Sequence, residues 1–173
     1  MPGRTLVVDA CLVITFGGTG QLDLVSGGDH RVVIGKRASA EVIHAPARPQ
    51  LDAALENGSI DLESVDLDRE AEQEALARYD SFVAFRNRGD AEVIALAATR
   101  GYIVGSDDAA VRRRVRADLG PERIAGTLDV VVWAIRDGRL SLAGADAFLT
   151  KCDVGPHLLR TMEASGTSLE DLI

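Results

Sequence analysis

Short apolar runs alternate along the chain with longer stretches that have helical periodicity. An apolar run too short for a helix indicates a strand buried on both faces of a parallel sheet. Such runs predict strands at residues 5–9, 31–34, 102–105 and 123–126. Residues 59–67 alternate apolar and acidic side chains, which is typical of either a short edge strand or a loop. Strands that alternate with helices predict an α/β fold of three layers, α/β/α, with a mostly parallel central sheet.

The most informative helical stretch begins at Asp90. Apolar residues follow it at the spacing that places side chains on one face of an α-helix, namely Val93, Ile94, Ala97 and Ala98. Asp90 is therefore predicted on the buried face, at the first turn. Other helices are predicted at residues 10–16, 39–44, 51–56, 68–87, 128–136 and 140–149. The helix at 68–87 should bury Val83 and end in Arg86-Asn87-Arg88.

Composition narrows the class of protein. A chain of 173 residues is long enough for one domain with a substantial core, and we place that domain at residues 1–150. Residues 151–173 are expected to be a helical tail, packed on the same domain or extending from it. Cys11 and Cys152 do not form a CxxC pair, so neither a disulfide framework nor a thiolate zinc site is indicated.

Charge and hydropathy narrow the class further. The formal net charge of −8 argues against a general nucleic-acid coat protein, but it leaves room for a local basic patch. No apolar run approaches the roughly 20 residues of a membrane helix. We therefore expect a cytoplasmic protein without a membrane partner.

Carboxylates gather where the predicted sheet would bring ligands. Asp9 ends the first strand, Asp107 and Asp108 follow the strand at 102–105, and open α/β sheets bind ligands at the carboxyl ends of their strands. Asp90 opens the helix that leads into that strand, and Glu41 lies on the helix after the second strand. Oxygen ligands without clustered His or Cys select Mg²⁺ or Mn²⁺ over zinc. Such an ion polarises a phosphoryl oxygen and activates a water for in-line attack.

Each of these acids also has an ordinary structural explanation. Asp90, Asp107 or Asp108 can serve as a helix N-cap, because aspartate accepts hydrogen bonds from free backbone N–H groups. Glu41 alone matches a surface helix charge. Asp9 is harder to explain in this way, because an unpaired carboxylate at the end of a buried strand is unfavourable. Converging like charges also destabilise a fold unless a cation is bound.

Five short segments, taken in order, resemble the PIN domain family. They are Leu6-Val-Val-Asp9-Ala10, Ala40-Glu41-Val42, Gly89-Asp90-Ala-Glu-Val-Ile-Ala-Leu-Ala97, Ser106-Asp107-Asp108 and Gly126-Thr127-Leu128. The resemblance runs from about residue 4 to residue 150, and it is closest to the subgroup with a GEA-type helix, a T/S-D-D motif and a Gly-Thr-Leu segment. It implies a PIN-like α/β/α nuclease, and many PIN domains are VapC-type toxins of toxin–antitoxin pairs.

The resemblance also implies roles for individual residues. The implied catalytic quartet is Asp9, Glu41, Asp90 and Asp108. The metal, Mg²⁺ or Mn²⁺, would be held by Asp9, Asp90, Asp108 and Asp107, with Glu92 as a further auxiliary. Two departures matter. Asp90 stands where this subgroup more often has Glu, and the Asp107-Asp108 tandem leaves open which of the two is the main ligand.

The resemblance leads us to expect a metal-dependent endoribonuclease, a hydrolase of RNA phosphodiesters that acts as a toxin. Its partners would be the RNA substrate and a small antitoxin-like protein, and a homodimer is also allowed. Two alternatives remain open at this point. One is a nuclease that cuts DNA, and the other is a non-catalytic PIN-type module that binds RNA or a protein partner.

An arginine-rich helix follows the Asp107-Asp108 pair. Val111 and Val115 are four residues apart and are predicted to face the core together. The residues that fan over the remaining surface are Arg112, Arg113, Arg114 and Arg116. They are candidates for binding RNA phosphates, joined by Arg86 and Arg88. The alternative is a solvated helix whose arginines pair with the many acids of the protein.

Overall fold

A computed structural model describes residues 3–82, 88–152 and 154–173 of the protein. Within these residues, parallel strands form one five-stranded sheet. The strands are β1 (Thr5–Val8), β2 (Arg31–Gly35), β3 (Asp61–Glu63), β4 (Ile103–Gly105) and β5 (Ile124–Ala125). Their order across the sheet is β3-β2-β1-β4-β5. This confirms the predicted parallel sheet, and it makes the 59–67 segment an edge strand.

The central strand shows why the sheet forms from these residues. Leu6 pairs with Val32 on one side and with Ile103 on the other. Leu6, Val7 and Val8 are at most 1% exposed, because helices cover both faces of the sheet. A continuous apolar run is the pattern that such two-sided burial requires.

Helices connect the strands and form the outer layers of the α/β/α fold. Before β4 they are α1 (Ala10–Gly18), α2 (Asp23–Ser26), α3 (Lys36–Glu41), α4 (Ala47–Glu56), α5 (Glu70–Asp80) and α6 (Arg88–Arg100). After β4 they are α7 (Ala109–Asp118), α8 (Thr127–Arg136), α9 (Leu142–Lys151) and α10 (Gly155–Ser165). Short 3₁₀ turns occupy Pro121–Arg123 and Glu170–Leu172. Among the described residues, no helix has the length and apolarity needed to cross a membrane.

Two predicted helix boundaries are wrong for tertiary reasons. Helix α1 continues through Gly17 to Gly18, past the end predicted at residue 16. A Cβ on Gly17 would lie 2.8 Å from the Cα of Ala47, so glycine here permits close packing of α1 against α4. Helix α3 begins at Lys36 rather than at residue 39, because a distant carboxylate caps its N-terminus, as described below.

The predicted helix at 68–87 is shorter where the structure describes it. It begins at Glu70 and ends at Asp80. The predicted inward position of Val83 and the predicted end at Arg86 and Asn87 lie outside the described residues.

The chain after α9 adds apolar side chains to the same core. Met162 on α10 is 8% exposed and Leu169 is 7% exposed, and both belong to the main hydrophobic cluster. Phe148 on α9 stacks on Phe16 of α1, with ring centroids 4.8 Å apart. Helices α9 and α10 therefore pack on the domain that the sheet builds.

The sheet determines where the polar chemistry lies. Asp9 directly follows β1, and Ser106, Asp107 and Asp108 directly follow β4, the neighbouring strand. The backbone N–H of Asp9 donates to the carbonyl of Gly105 over 3.0 Å, which continues the pairing beyond the strand ends. Both segments therefore meet at the carboxyl edge of the sheet.

Candidate functional site

Asp9 is a buried carboxylate that caps a helix. It is 2% exposed, and its Oδ1 accepts the backbone N–H of Leu12 in the first turn of α1 over 2.8 Å. The thiol of Cys11 lies 3.1 Å from each carboxylate oxygen, and the hydroxyl of Ser106 donates to Oδ2. Burial nevertheless raises the pKa of Asp9 to about 6, although these hydrogen bonds favour the ionised form.

Ser106 links the ends of the two neighbouring strands. Its side chain is fully buried; the hydroxyl donates to Asp9, and its oxygen accepts the backbone N–H of Asp108 over 3.1 Å. A single hydroxyl therefore fixes Asp9 relative to the segment that carries Asp108. The sequence analysis assigned no role to Ser106. The available signal was its position between a buried strand and two aspartates.

The two tandem aspartates have different surroundings. Asp108 is the N-cap of α7, and its Oδ1 accepts the N–H groups of Ala110 and Val111 over 2.7 and 3.0 Å. The N-cap interpretation is therefore correct for Asp108. Asp107 instead turns toward the start of α8, where its two oxygens accept the backbone N–H and the hydroxyl of Thr127 over 3.0 and 2.5 Å.

Glu41 on α3 and Asp90 on α6 lie at the same edge of the sheet. Glu41 ends α3, and its Oε1 accepts the N–H of Gly89, in the first turn of α6, over 3.0 Å. The pKa of Asp90 rises to about 7, first because of burial and then because of repulsion by Asp9, Asp108 and Glu41. The structure thus places the other three predicted quartet residues within electrostatic reach of Asp90. We call these four side chains the carboxylate cluster.

Glu92 is bound to the start of α3. It is 3% exposed, and its Oε2 accepts the N–H of Arg37 in the first turn of α3 over 2.6 Å. Burial raises its pKa, against the hydrogen bonds that it accepts. A Cβ on Gly35 would lie 2.4 Å from Oε2 of Glu92, so a larger residue there would displace this carboxylate. Helices α3 and α6 therefore cap each other: Glu92 caps α3, and Glu41 bonds the first turn of α6.

The side chains of the carboxylate cluster suit a divalent cation by their chemistry, but their spacing does not yet form a coordination site. The cluster offers carboxylate oxygens, the ligands that Mg²⁺ and Mn²⁺ prefer, and a cation would relieve the repulsion that acts on Asp90. Within the described residues, however, no group of three or more His, Cys, Asp or Glu side chains is arranged closely enough to hold an ion. Coordination would require side-chain rotations that draw the carboxylates together.

The arginines of α7 separate into two groups. Arg114 bonds Asp118 over 2.8 Å and lies 3.8 Å from the ring centre of Phe82, so it is held by local packing. Three others line an open groove of about 950 Å³ beside Asp107: Arg112, Arg113 and Arg116. Val111 and Val115 face the core as predicted, with no exposed surface. Arg88 is exposed at the start of α6, and Arg86 lies outside the described residues.

A family model described as a PIN domain matches residues 5–151, a span that contains the whole carboxylate cluster. A search of curated proteins finds no match to the sequence.

Proposed function

The chain belongs to the PIN domain family, whose members are usually metal-dependent nucleases, and we propose that it is an endoribonuclease that uses Mg²⁺ or Mn²⁺. Family membership supports nuclease activity and RNA binding in general. The observation that carries the proposal for this chain is the repulsion of Asp90 by three other carboxylates at the carboxyl edge of the sheet. Such a cluster is unfavourable without a cation.

We assign the ion to Asp9, Asp90 and Asp108, with Glu41 beside them. Asp108 is preferred to Asp107 because it acts on Asp90 electrostatically. A bound divalent cation supplies a Lewis acid for a phosphoryl oxygen and activates a water for in-line attack.

The remaining contacts orient the proposed ligands. The hydroxyl of Ser106 holds Asp9, and Oδ1 of Asp108 is fixed by the first turn of α7. Within the described residues no hydrogen bond is made to Oδ2 of Asp108 or to the Asp90 carboxylate, which leaves these oxygens available to a cation. Hydrogen bonds that orient the ligands of a metal ion strengthen its binding.

We further propose that the nuclease is the toxin of a toxin–antitoxin pair and that a small antitoxin-like protein binds it. The net charge of −8 suits a partner with a basic segment, because unlike charges speed association. A Lys or Arg of that partner inserted into the carboxylate cluster would compete with the cation. Co-expression with the product of the neighbouring reading frame should give a stable complex and relieve growth inhibition, and separate expression should give neither.

The second candidate is a PIN-type module that binds RNA without cutting it. The wide spacing of the acids in the described residues favours this alternative, since no three of them form a ready coordination site. Cleavage distinguishes the two functions.

The test uses the purified chain with RNA and DNA of the same sequence, in Mg²⁺, in Mn²⁺ and in EDTA. The proposal predicts that RNA is cut in either metal and is intact in EDTA, and that DNA is cut far more slowly. Attack by water rather than by the ribose 2′-hydroxyl predicts products without 2′,3′-cyclic phosphate ends. RNA that binds but stays intact in both metals supports the binding module, and equal cleavage of DNA assigns a general nuclease.

A further inference from the structure

An open groove of about 950 Å³ begins beside the carboxylate cluster. Asp107 and Ala109, the neighbours of Asp108, line one part of it. Its longest wall belongs to α7 and consists of Arg112, Arg113, Arg116 and Ala117. The groove is therefore lined by the residues on either side of Asp108, a member of the carboxylate cluster.

The arginines in this wall are available to an anion. Within the described residues, neither Arg113 nor Arg116 forms an ion pair. Asp107 and Asp129 also line the groove, but their carboxylates are engaged, Asp107 by Thr127 and Asp129 by the N–H of Gly126 over 2.8 Å. Three arginines therefore outnumber two carboxylates along the groove, on a protein whose net charge is −8.

A second wall comes from the C-terminal part of the chain. This wall consists of Val154, His157 and Leu158, and Leu128 of α8 adds a further apolar group. Residues 154, 157 and 158 lie beyond the family match, which ends at residue 151. Unpaired bases stack on aromatic rings such as that of histidine, and the neighbouring aliphatic side chains offer apolar contact. The groove thus offers cations on one side and a surface for bases on the other.

We propose that this groove binds the single-stranded RNA segment that adjoins the scissile phosphate. The proposal rests on the proposed function, because that function places the reacting phosphate at the carboxylate cluster. Arg113 and Arg116 bind phosphates of the segment, and its bases lie against His157 and Leu158. An acidic peptide would also match the arginines, but the position of the groove at the two neighbours of Asp108 favours the substrate.

The test measures binding without cleavage, by fluorescence anisotropy of a labelled RNA of about 12 nucleotides in EDTA. The test variant is Arg113→Ala combined with Arg116→Ala. Arg112 is left intact because its guanidinium donates to the carbonyl of Ser106 and supports the cluster. The matched control, Arg31→Ala with Arg69→Ala, removes the same charge from arginines whose side chains are 48% and 70% exposed elsewhere on the surface.

The salt dependence of binding should distinguish phosphate contacts from base stacking. Loss of two phosphate contacts should lower the slope of log K against log salt by about 1.4 and weaken binding about 10- to 25-fold at 0.1 M salt. His157→Ala should weaken binding about fivefold without changing that slope, since a stacking contact involves no counterion release. The control pair should match the wild type in affinity and slope.

Three outcomes would overturn the proposal. One is an unchanged slope in the arginine variant, and another is an equal loss in the control pair. The third is displacement of the RNA by a glutamate-rich peptide as effectively as by unlabelled RNA, which would assign the groove to an acidic partner. Binding is measured without a divalent ion, so groove binding by a protein that also leaves RNA intact in Mg²⁺ and in Mn²⁺ would refute only the proposed function. Cleavage that is unaffected by the groove variants would refute only the groove.

Discussion

Replacing Asp90 by asparagine should stabilise the protein at neutral pH when no divalent ion is present. Burial and the repulsion of three neighbouring carboxylates raise the pKa of Asp90 from 3.8 to about 7. A pKa change of this size corresponds to a destabilisation of the folded state by about 4 kcal/mol at most. Solvent around a partly exposed carboxylate screens the repulsion, so we expect the variant to be about 1–3 kcal/mol more stable.

The pH dependence of this effect has a definite sign. Below pH 3.8 Asp90 is protonated in both the folded and the unfolded state, and its charge has no effect. Between pH 3.8 and about 7 the unfolded chain releases a proton that the folded chain retains, so stability falls as pH rises. Above about 7 the full destabilisation is present. The advantage of Asp90→Asn should therefore grow across this window and then stay constant.

Thermal unfolding followed by circular dichroism measures both the charge effect and the metal response. At pH 8 in EDTA, Asp90→Asn should raise the Tm by about 2–12 °C, whereas Asp146→Asn, on the exposed surface of α9, should leave it unchanged. Mn²⁺ at about 100 times its dissociation constant should raise the wild-type Tm by about 5–10 °C. The Mn²⁺ response of Asp90→Asn should be much smaller.

The same curves can refute the reasoning. If Asp90 served only to stabilise the start of α6, its truncation to alanine would lower stability by about 1 kcal/mol, and Mn²⁺ would not change the wild-type Tm. A Tm that does not change in millimolar Mn²⁺, together with a destabilised Asp90→Ala variant, would show that the carboxylate cluster is not a metal site.

Two further predictions concern residues that position the carboxylate cluster. Ser106→Ala removes the donor to Asp9 and should weaken Mn²⁺ binding about 10- to 100-fold by isothermal calorimetry; unchanged affinity would show that Ser106 does not orient Asp9. Glu92→Ala should also weaken Mn²⁺ binding, because α3 and its Glu41 lose their anchor, and Glu92→Gln should restore most of the affinity. Glu72, another carboxylate that is 3% exposed, provides the control: Glu72→Ala should lower stability without changing Mn²⁺ affinity, and an equal loss of affinity would mean that Glu92 has a general structural role.

Local sequence pattern was sufficient for the sheet and for part of the cluster. The apolar runs of β1 and β4 identify buried strands, and the carboxyl ends of parallel neighbours share an edge. The convergence of Asp9 and Asp108 therefore followed from topology. The pairing of Arg114 with Asp118 was also accessible, because residues four apart on a helix are neighbours.

Contacts between distant segments were not accessible in this way. Helix α3 starts earlier than its own residues indicate because Glu92, 55 positions away from Arg37, caps it. The bond between Ser106 and Asp9 spans 97 positions. The conformational freedom of glycine favours a helix end at Gly17. In the structure Gly17 instead permits the close approach of Ala47. The groove formed by α7 and α10 likewise depends on tertiary packing that no local period encodes.

The rate of RNA cleavage by Asp9→Asn tests the central claim most directly. Asparagine keeps the shape of the side chain but removes the charge that would hold the cation, which should slow single-turnover cleavage in saturating Mn²⁺ by at least about 1,000-fold. Asp146→Asn should cleave at the wild-type rate, and circular dichroism should show that both variants are folded. A folded Asp9→Asn variant that cleaves RNA at the wild-type rate would contradict the claim that this cluster performs the reaction.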